Sequence, residues 1–452
     1  MDLKSLRAEF RGEILTPESA EYEASRKIWN GMIDRRPAAI ARCMGPADAQ
    51  AAVRFAAARD IYPSVRGGGH NVAGLAIVDR GLVIDLTRMK GIYVDPAKHT
   101  ATAQMGLTWG EFDRETQLYG LATTGGLIST TGVAGLTLGG GVGWLMNRCG
   151  LVCDNTLSYD IVLASGELIR ATGDEHPDLF WALKGGGGNF GVVTSITYRM
   201  YAMTTVISGM VLHPLAHVRQ VLRFYRDFVL SGLPDELTVY AAVLSTPDGQ
   251  PIIALIPAWC GELSEGERLL EPLRKFGSPM ADLINRMPYT AMQQMIDAVA
   301  PSGRRSYWKS RFLRDLPDAA IDTFVEFAEC RTSPFSLAVL EHAHGAVSRV
   351  ATDATAFPTR NDPFDLVLIS AWTDIAEDTR HIDWTRQFHS AMEPWSSGCV
   401  YVNSLDQDDA SRVPDAYAGN YSRLSSVKVS YDPGNRFRHN QNIQPKAQAA
   451  RS

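Results

Sequence analysis

The chain is 452 residues long, enough for two domains or for one domain with a large insertion. Its 45% hydrophobic and 21% charged residues suit a globular protein with a sizeable core. A formal net charge of −6 without a Lys/Arg-dense run argues against nucleic-acid binding, and no apolar span reaches the roughly 18 residues of a membrane crossing.

The first eighteen or so residues carry charges throughout and lack the apolar core of a secretory signal, so a cytoplasmic protein is expected. Six cysteines are too few for a disulfide scaffold in a chain of this length. Cys149 and Cys153 share a spacing that some metal sites use. No second Cys/His pair accompanies them, so no metal site is expected.

Residues up to about Trp29 read as a charged, helical lead-in. Residues 36–43 read as a strand, 47–59 as a helix and 61–65 as a strand. This βαβ unit delivers the chain to residues 63–74, at the end of a strand, where such folds bind ligands. There Gly67, Gly68 and Gly69 follow Arg66 and precede His70, Asn71 and Gly74. Without Cβ atoms the backbone can lie directly against a ligand, and successive N–H groups form an anion-binding concavity. Arg66 adds a fixed positive charge, and the His70 imidazole sits at the lip. Taken alone, the stretch fits a glycine-rich surface turn equally well.

Residues 82–86 and 91–95 are two further strands, 100–105 alternates weakly, and 108–119 is helical. Six glycines then occupy the twelve positions from Gly132 to Gly143: Gly132, Gly135, Gly139, Gly140, Gly141 and Gly143. That density weakens any regular element. The run is expected to be neither packed strand nor packed helix, but backbone wrapped on an extended ligand. Thr131, Leu138 and Trp144 stand beside it, and Asn155 adds a polar contact. Residues 158–170 read as a hairpin around Ser165 and Gly166, 176–184 as a helix and 192–200 as a strand. Gly186 to Gly191 matches the letters of the dinucleotide pattern G-x-G-x-x-G. That motif needs a strand before it and a helix after it. Here the order is reversed, so only a glycine loop remains, with Gly191, Val192 and Val193 at its exit.

Beyond residue 200 the glycine loops cease. Strand-like runs at 237–244, 252–257, 336–342 and 365–372 alternate with amphipathic helices, clearest at 215–230 and 317–330. This reads as a second domain, a sheet covered on one face by helices. The expected boundaries are 1–203, 204–400 and a polar, loop-rich segment 401–452 that returns to the first domain and ends in a frayed tail from Gln444.

Arg66 to Asn71, Gly132 to Trp144, Gly150-Leu151 with Asp154-Asn155, His176 to Trp181 and Gly186 to Val193 together resemble the FAD-binding core of the vanillyl-alcohol oxidase superfamily. Tyr401-Val402-Asn403 and the stretch from Tyr431 to Asn442 resemble the C-terminal signature of its berberine-bridge-enzyme-like branch. The resemblance covers nearly the whole chain and is weakest between about 200 and 400. It implies an α+β protein, with a two-subdomain FAD-binding domain and a substrate domain whose antiparallel sheet is covered by helices. By position it implies that His70 bonds covalently to the 8α-methyl carbon of FAD. Many relatives add a cysteinyl link just before the glycine-rich run. Ile128 stands there in this chain, so no second link is implied. Asn440 and Asn442 are expected to brace the flavin end of the domain interface.

Tyr401 and Asn403 are two apart and would share a face on a strand. In oxidases of this branch such a tyrosine takes the proton of the substrate hydroxyl while hydride moves to the flavin. A tyrosine near its ordinary pKa of about 10 is a poor base at neutral pH, so the role needs help from nearby charge. A core tyrosine satisfied by one hydrogen bond is the alternative. In the 336–342 run, Ser336, Ala338, Leu340 and His342 are expected on one face, walling the substrate site. His342 and His344 are candidates to touch substrate there, with Tyr307 and Trp372 as further walls. Amine-oxidising relatives use charged residues on such a strand, whereas this one offers mostly small or apolar residues.

The sequence thus predicts an FAD-dependent oxidase taking hydride from a secondary alcohol, sugar or polyhydroxylated metabolite, with O₂ as acceptor and H₂O₂ as product. A small-molecule substrate and O₂ are the expected partners, without nucleic acid or membrane, and a homodimer is compatible. An amine oxidase is the first alternative, and Glu341 facing the pocket would favour it. A flavin monooxygenase and a flavoprotein without turnover are the others.

Overall fold

A computed structural model describes residues 1–445. The chain opens on a four-stranded sheet in the order Glu13–Leu15, Ala39–Arg42, Leu82–Asp85, Ser64–Arg66. The last three strands pair in parallel, as a βαβ crossover requires. The crossover helix, Pro46–Ala58, starts with proline in its first turn and is rich in alanine. It buries Ala49, Ala52, Val53 and Ala56, side chains small enough to let it sit close against its neighbours. The lead-in is only partly helical, because Glu13–Leu15 forms an edge strand.

A five-stranded antiparallel sheet follows, with Val192–Arg199 between Thr100–Gln104 and Thr156–Val162. The helix Pro177–Leu183 precedes the Gly185–Gly191 loop and a strand follows it, the order opposite to a Rossmann turn. This sheet ends at Arg199, and a nine-stranded antiparallel sheet begins at Thr205. Its centre runs Pro251–Trp259, Leu237–Ser245, Leu337–His342, Phe364–Trp372, Arg305–Leu313. The Arg305–Leu313 strand is a feature that propensity did not single out.

The strands Leu237–Ser245 and Pro251–Trp259 are apolar on both faces, and alternation divides them as it does their neighbours. Val239, Ala241, Leu255, Ala338, Leu340, Leu366 and Leu368 point one way, into a core shared with four helices, among them Leu263–Lys275 through Leu270 and Leu273. On the helix Val218–Val229, Val218, Val221, Leu222, Tyr225 and Val229 form one stripe at helical spacing. Phe324 of Asp318–Glu329 and Phe388 of Asp378–Ala391 join them, each contributing roughly 1.5–3 kcal/mol by burial. The opposite face, carrying Tyr240, Ala242 and Leu244, looks toward the glycine-rich domain.

Two local expectations are corrected. The glycine-rich run contains a short helix, Val133–Leu138. Packing overrides propensity there, since Val133, Ala134, Thr137 and Leu138 are buried. The Thr137 hydroxyl donates to the Val133 carbonyl and pairs with the Tyr198 hydroxyl. Residues after 400 are not mainly loop, because Tyr421–Tyr431 is a helix. The expected tail lies outside the described residues from position 446 onward.

Candidate active site

The glycine loops and the open face of the nine-stranded sheet enclose a cavity of about 390 Å³. Gly67, Gly68, Gly69, His70 and Asn71 form part of its floor, with Thr131, Gly132, Gly135, Leu138 and Trp144 opposite them. A Cβ on Gly68 would stand 2.5 Å from the Cα of Gly132, so only glycine at both positions lets the two loops meet. A Cβ on Gly135 or Gly188 would meet nothing within 4 Å, which leaves bare backbone facing open space. Gly191, Val193, Asn403 and Asn440 also line it.

Other expected residues stand behind this lining. Arg66 is turned back onto the Ser25 carbonyl and Asp85. Gly74 closes the turn that begins at Asn71. Gly139 lies against Asn403, whose Oδ1 would be 2.1 Å from a Cβ there. Gly140, Gly141 and Gly143 shape the turn behind Trp144, and Gly141 donates its N–H to the Tyr401 hydroxyl at 3.1 Å. Asn155 braces the fold, donating to the Cys149 and Leu151 carbonyls and accepting from the Tyr201 hydroxyl. Val192 is core, and Asn442 lies outside the lining.

The substrate wall is the reverse of the expected face. Leu337, Val339 and Glu341 line the cavity, while Ala338 and Leu340 pack under the helices. His342 therefore points away from the cavity, against His344 and the Phe364 ring. Burial holds it neutral, pushing its pKa down to about 3. It lies outside the cavity lining and is not placed to act on a substrate there. The same alternation puts Trp308 on the wall and turns Tyr307 outward, where its hydroxyl donates to Asp408. Trp372 donates to Asp378 and also lies off the cavity. Tyr240, Ala242, Leu244, Ile256, Val367 and Ile369 make the rest of this wall, almost wholly apolar.

Tyr401 lines the cavity, although not from a strand as expected. It immediately precedes a 3₁₀ turn, Val402–Ser404, and that turn folds the Asn403 amide back to donate to the Tyr401 hydroxyl at 2.9 Å. Burial pushes the Tyr401 pKa above its ordinary value, and the donors from Asn403 and Gly141 act in the opposite direction. Glu341 sits on the same wall, paired across strands with Asp365. Burial and the Asp365 carboxyl raise the Glu341 pKa well above the usual range. Burial likewise pushes Asp365 up to about 7, and neither of its oxygens has a partner among the described residues.

His70 stacks on Trp29, ring centroids 4.5 Å apart and 22° between planes. Burial pushes its pKa down to about 4, so the imidazole is neutral. Three lining residues carry buried polar atoms without a partner among the described residues: His70 Nε2, Trp144 Nε1 and Asn440 Oδ1. Buried polar groups are normally paired, and a polar ligand laid along this groove would complete them. Glycine backbone, a neutral imidazole and unpartnered polar atoms in one cavity suit a flavin dinucleotide. Residues 37–172 match the family described as FAD binding domain, and residues 400–444 match berberine and berberine like.

The chain is 30% identical to (R)-6-hydroxynicotine oxidase of Paenarthrobacter nicotinovorans, over 96% of this chain and 97% of that protein. The crystal structure of 6-hydroxy-D-nicotine oxidase from Arthrobacter nicotinovorans superposes with a TM-score of 0.89 at 29% identity, covering 97% of this chain and 98% of that one. Physcomitrella patens BBE-like 1 shares the fold at 21% identity, with a TM-score of 0.91 over 99% and 100% of the two chains. Fold, cavity and relatives define a flavoprotein oxidoreductase. The chain belongs to the FAD-linked oxidoreductases of the berberine-bridge-enzyme-like family.

Proposed function

We propose that this protein is an oxidase that takes hydride from the hydroxyl-bearing carbon of a small, largely apolar molecule, with FAD as first acceptor and dioxygen as second, giving hydrogen peroxide. The observation that carries this reading is Tyr401, a cavity-lining phenol whose oxygen receives two N–H donors. Such donors stabilise a phenolate as they would any developing oxyanion. FAD, when bound, supplies the hydride-accepting ring. Tyr401 binds the substrate hydroxyl and, once deprotonated, accepts its proton. The apolar sheet wall orients the rest of the substrate and excludes water. A sugar would leave several hydroxyls unpaired against that wall, which counts against it.

His70 is the proposed covalent ligand, as a buried neutral imidazole with one unpartnered nitrogen. Ile128 lines the cavity where a second cysteinyl link would need sulfur, and burial holds Cys149 and Cys153 as thiols. A single link is proposed. Acid-precipitated protein then keeps its flavin, and His70→Ala releases it to the supernatant.

Glu341 on the cavity wall favours a second reading, an amine substrate. A neutral carboxylic acid there can give its proton to an entering amine and hold it as an ammonium–carboxylate pair. The discriminating experiment measures peroxide from a secondary alcohol and its amine counterpart on one apolar ring skeleton. The alcohol should be oxidised by the parent protein and still oxidised by Glu341→Gln. Amine oxidation that disappears in Glu341→Gln would replace the first reading with the second. Oxygen found in the product instead of peroxide would sink both in favour of a monooxygenase. Failure of every donor to reduce the flavin would leave a binding protein.

A further inference from the structure

Trp29 comes from the lead-in segment, far from any glycine motif, yet it forms the face against which the His70 imidazole lies. A buried histidine ring is usually oriented by a hydrogen bond to one of its nitrogens. The Nε2 of His70 has none among the described residues. A backbone hydrogen bond within the residue itself also acts on the ring, and the nearly parallel indole, with its centroid 4.5 Å away, covers the face of the ring. Trp29 is itself held from three sides. Its backbone N–H donates to the Gly69 carbonyl, its carbonyl accepts from the Gly303 N–H, and its Nε1 donates to the Ala300 carbonyl at 3.0 Å. Trp308, from the cavity wall, meets it edge-on at 5.6 Å. Two of these anchors and Trp308 lie in the substrate domain, while Gly69 adjoins His70.

We infer that Trp29 is the positioning residue for covalent flavin attachment, holding the His70 imidazole in the one plane from which its nitrogen can reach the flavin. The inference rests on the proposed link at His70. Attachment breaks one C–H bond of the flavin 8α-methyl group and the N–H bond of the imidazole, and forms one C–N bond. The two hydrogens, with two electrons, remain on the flavin ring, and dioxygen then takes them as hydrogen peroxide. Only the neutral imidazole has the lone pair for this step, and it needs that lone pair aimed at one carbon. An unstacked ring would rotate about its Cβ–Cγ bond and spend much of its time misdirected.

The test adds FAD to flavin-free full-length protein and follows flavin retained in the acid-precipitated pellet over time. Trp29→Phe keeps an aromatic face, and Trp29→Met fills similar space without one. Attachment should persist in Trp29→Phe and slow on the order of tenfold in Trp29→Met, the scale of a lost aromatic pair. In a His70→Ala background, Trp29→Met should leave reversible FAD affinity unchanged, since its role is exerted on the imidazole. Equal attachment in the two variants, whether fast or absent, would overturn the inference, as would a fall in reversible affinity that accounts for the slowing. A parent protein that retains no flavin in the pellet would overturn the link at His70 itself, a result distinct from the loss of the split between variants.

Discussion

At Tyr401 two physical effects oppose each other. Removal from water favours the neutral phenol, and two N–H groups aimed at its oxygen favour the anion. Burial dominates, so the pKa lies above its ordinary value and the phenolate fraction grows tenfold with each pH unit below it. In the alcohol reading, kcat/KM should climb steadily from neutral pH toward about pH 10, the ordinary value. Tyr401→Phe should flatten that climb and lower kcat/KM by about 10²–10⁴-fold, the usual worth of a general base. It also leaves the Gly141 N–H without its acceptor, so a stability loss of about 1–3 kcal/mol should appear in thermal unfolding. A parent protein whose profile is already flat would remove Tyr401 from proton transfer. None of this was visible as geometry in the sequence. The Tyr-x-Asn spacing suggested a shared strand face, whereas a 3₁₀ turn brings the amide to the phenol.

At the scale of the sheet, Glu341 and Asp365 face each other across neighbouring strands, a placement that disfavours two charges. Burial pushes the Asp365 pKa in the fold up to about 7, from the ordinary 3.8 that holds in an unfolded chain. Between those values the folded chain holds a proton that the unfolded chain has lost, so stability falls as pH rises through the window and levels above it. Asp365→Asn abolishes the difference. Urea unfolding should show the variant more stable at pH 7.5 by about 4 kcal/mol, the linkage accumulated across that window, and equal at pH 4. A variant less stable at pH 7.5 would mean that the carboxylate has a partner. This sheet also shows why the substrate wall was illegible. The Leu337–His342 strand is apolar at both odd and even positions, so its alternation carried no phase, and a shift of one residue exchanges every side chain between faces. The helix-covered core, by claiming Ala338 and Leu340, decides that Glu341 faces inward and His342 outward. The glycine loops were legible for the opposite reason. Where Gly68 meets Gly132 no side chain fits, and that exclusion is written directly in the residue type.

For the molecule as a whole, the segment after residue 400 has to be fastened back onto the glycine-rich domain it helps to line. Lys428, buried in the helix Tyr421–Tyr431, does this with one ammonium group. It pairs with Asp432 at 2.8 Å and donates to the carbonyls of Asn189 and Phe437. Asn189 belongs to the glycine loop at 185–191, and Phe437 lines the cavity beside Asn440, which donates to Gly188. One cation thus ties the helix and the stretch just after it to a loop more than two hundred residues earlier in the sequence. Burial lowers the Lys428 pKa and the Asp432 carboxylate opposes that shift, so the pair survives on its partners. Lys428→Met keeps the volume and removes the charge. Among the described residues Asp432 then retains only the backbone N–H groups of Arg436 and Phe437, and a buried carboxylate without its cation costs about 3–5 kcal/mol. The unfolding temperature should fall, and excess FAD should restore part of it, because a ligand that binds only the folded state stabilises by mass action. The apolar contacts of Leu424, Val427 and Ile443 offer a competing account of how this segment is held. If they suffice, Lys428→Met unfolds at the parent temperature and FAD shifts both proteins equally. If the cation is the fastening, the variant unfolds earlier and gains more from FAD than the parent does, since its loosened glycine loop is re-ordered by the ligand that loop cradles.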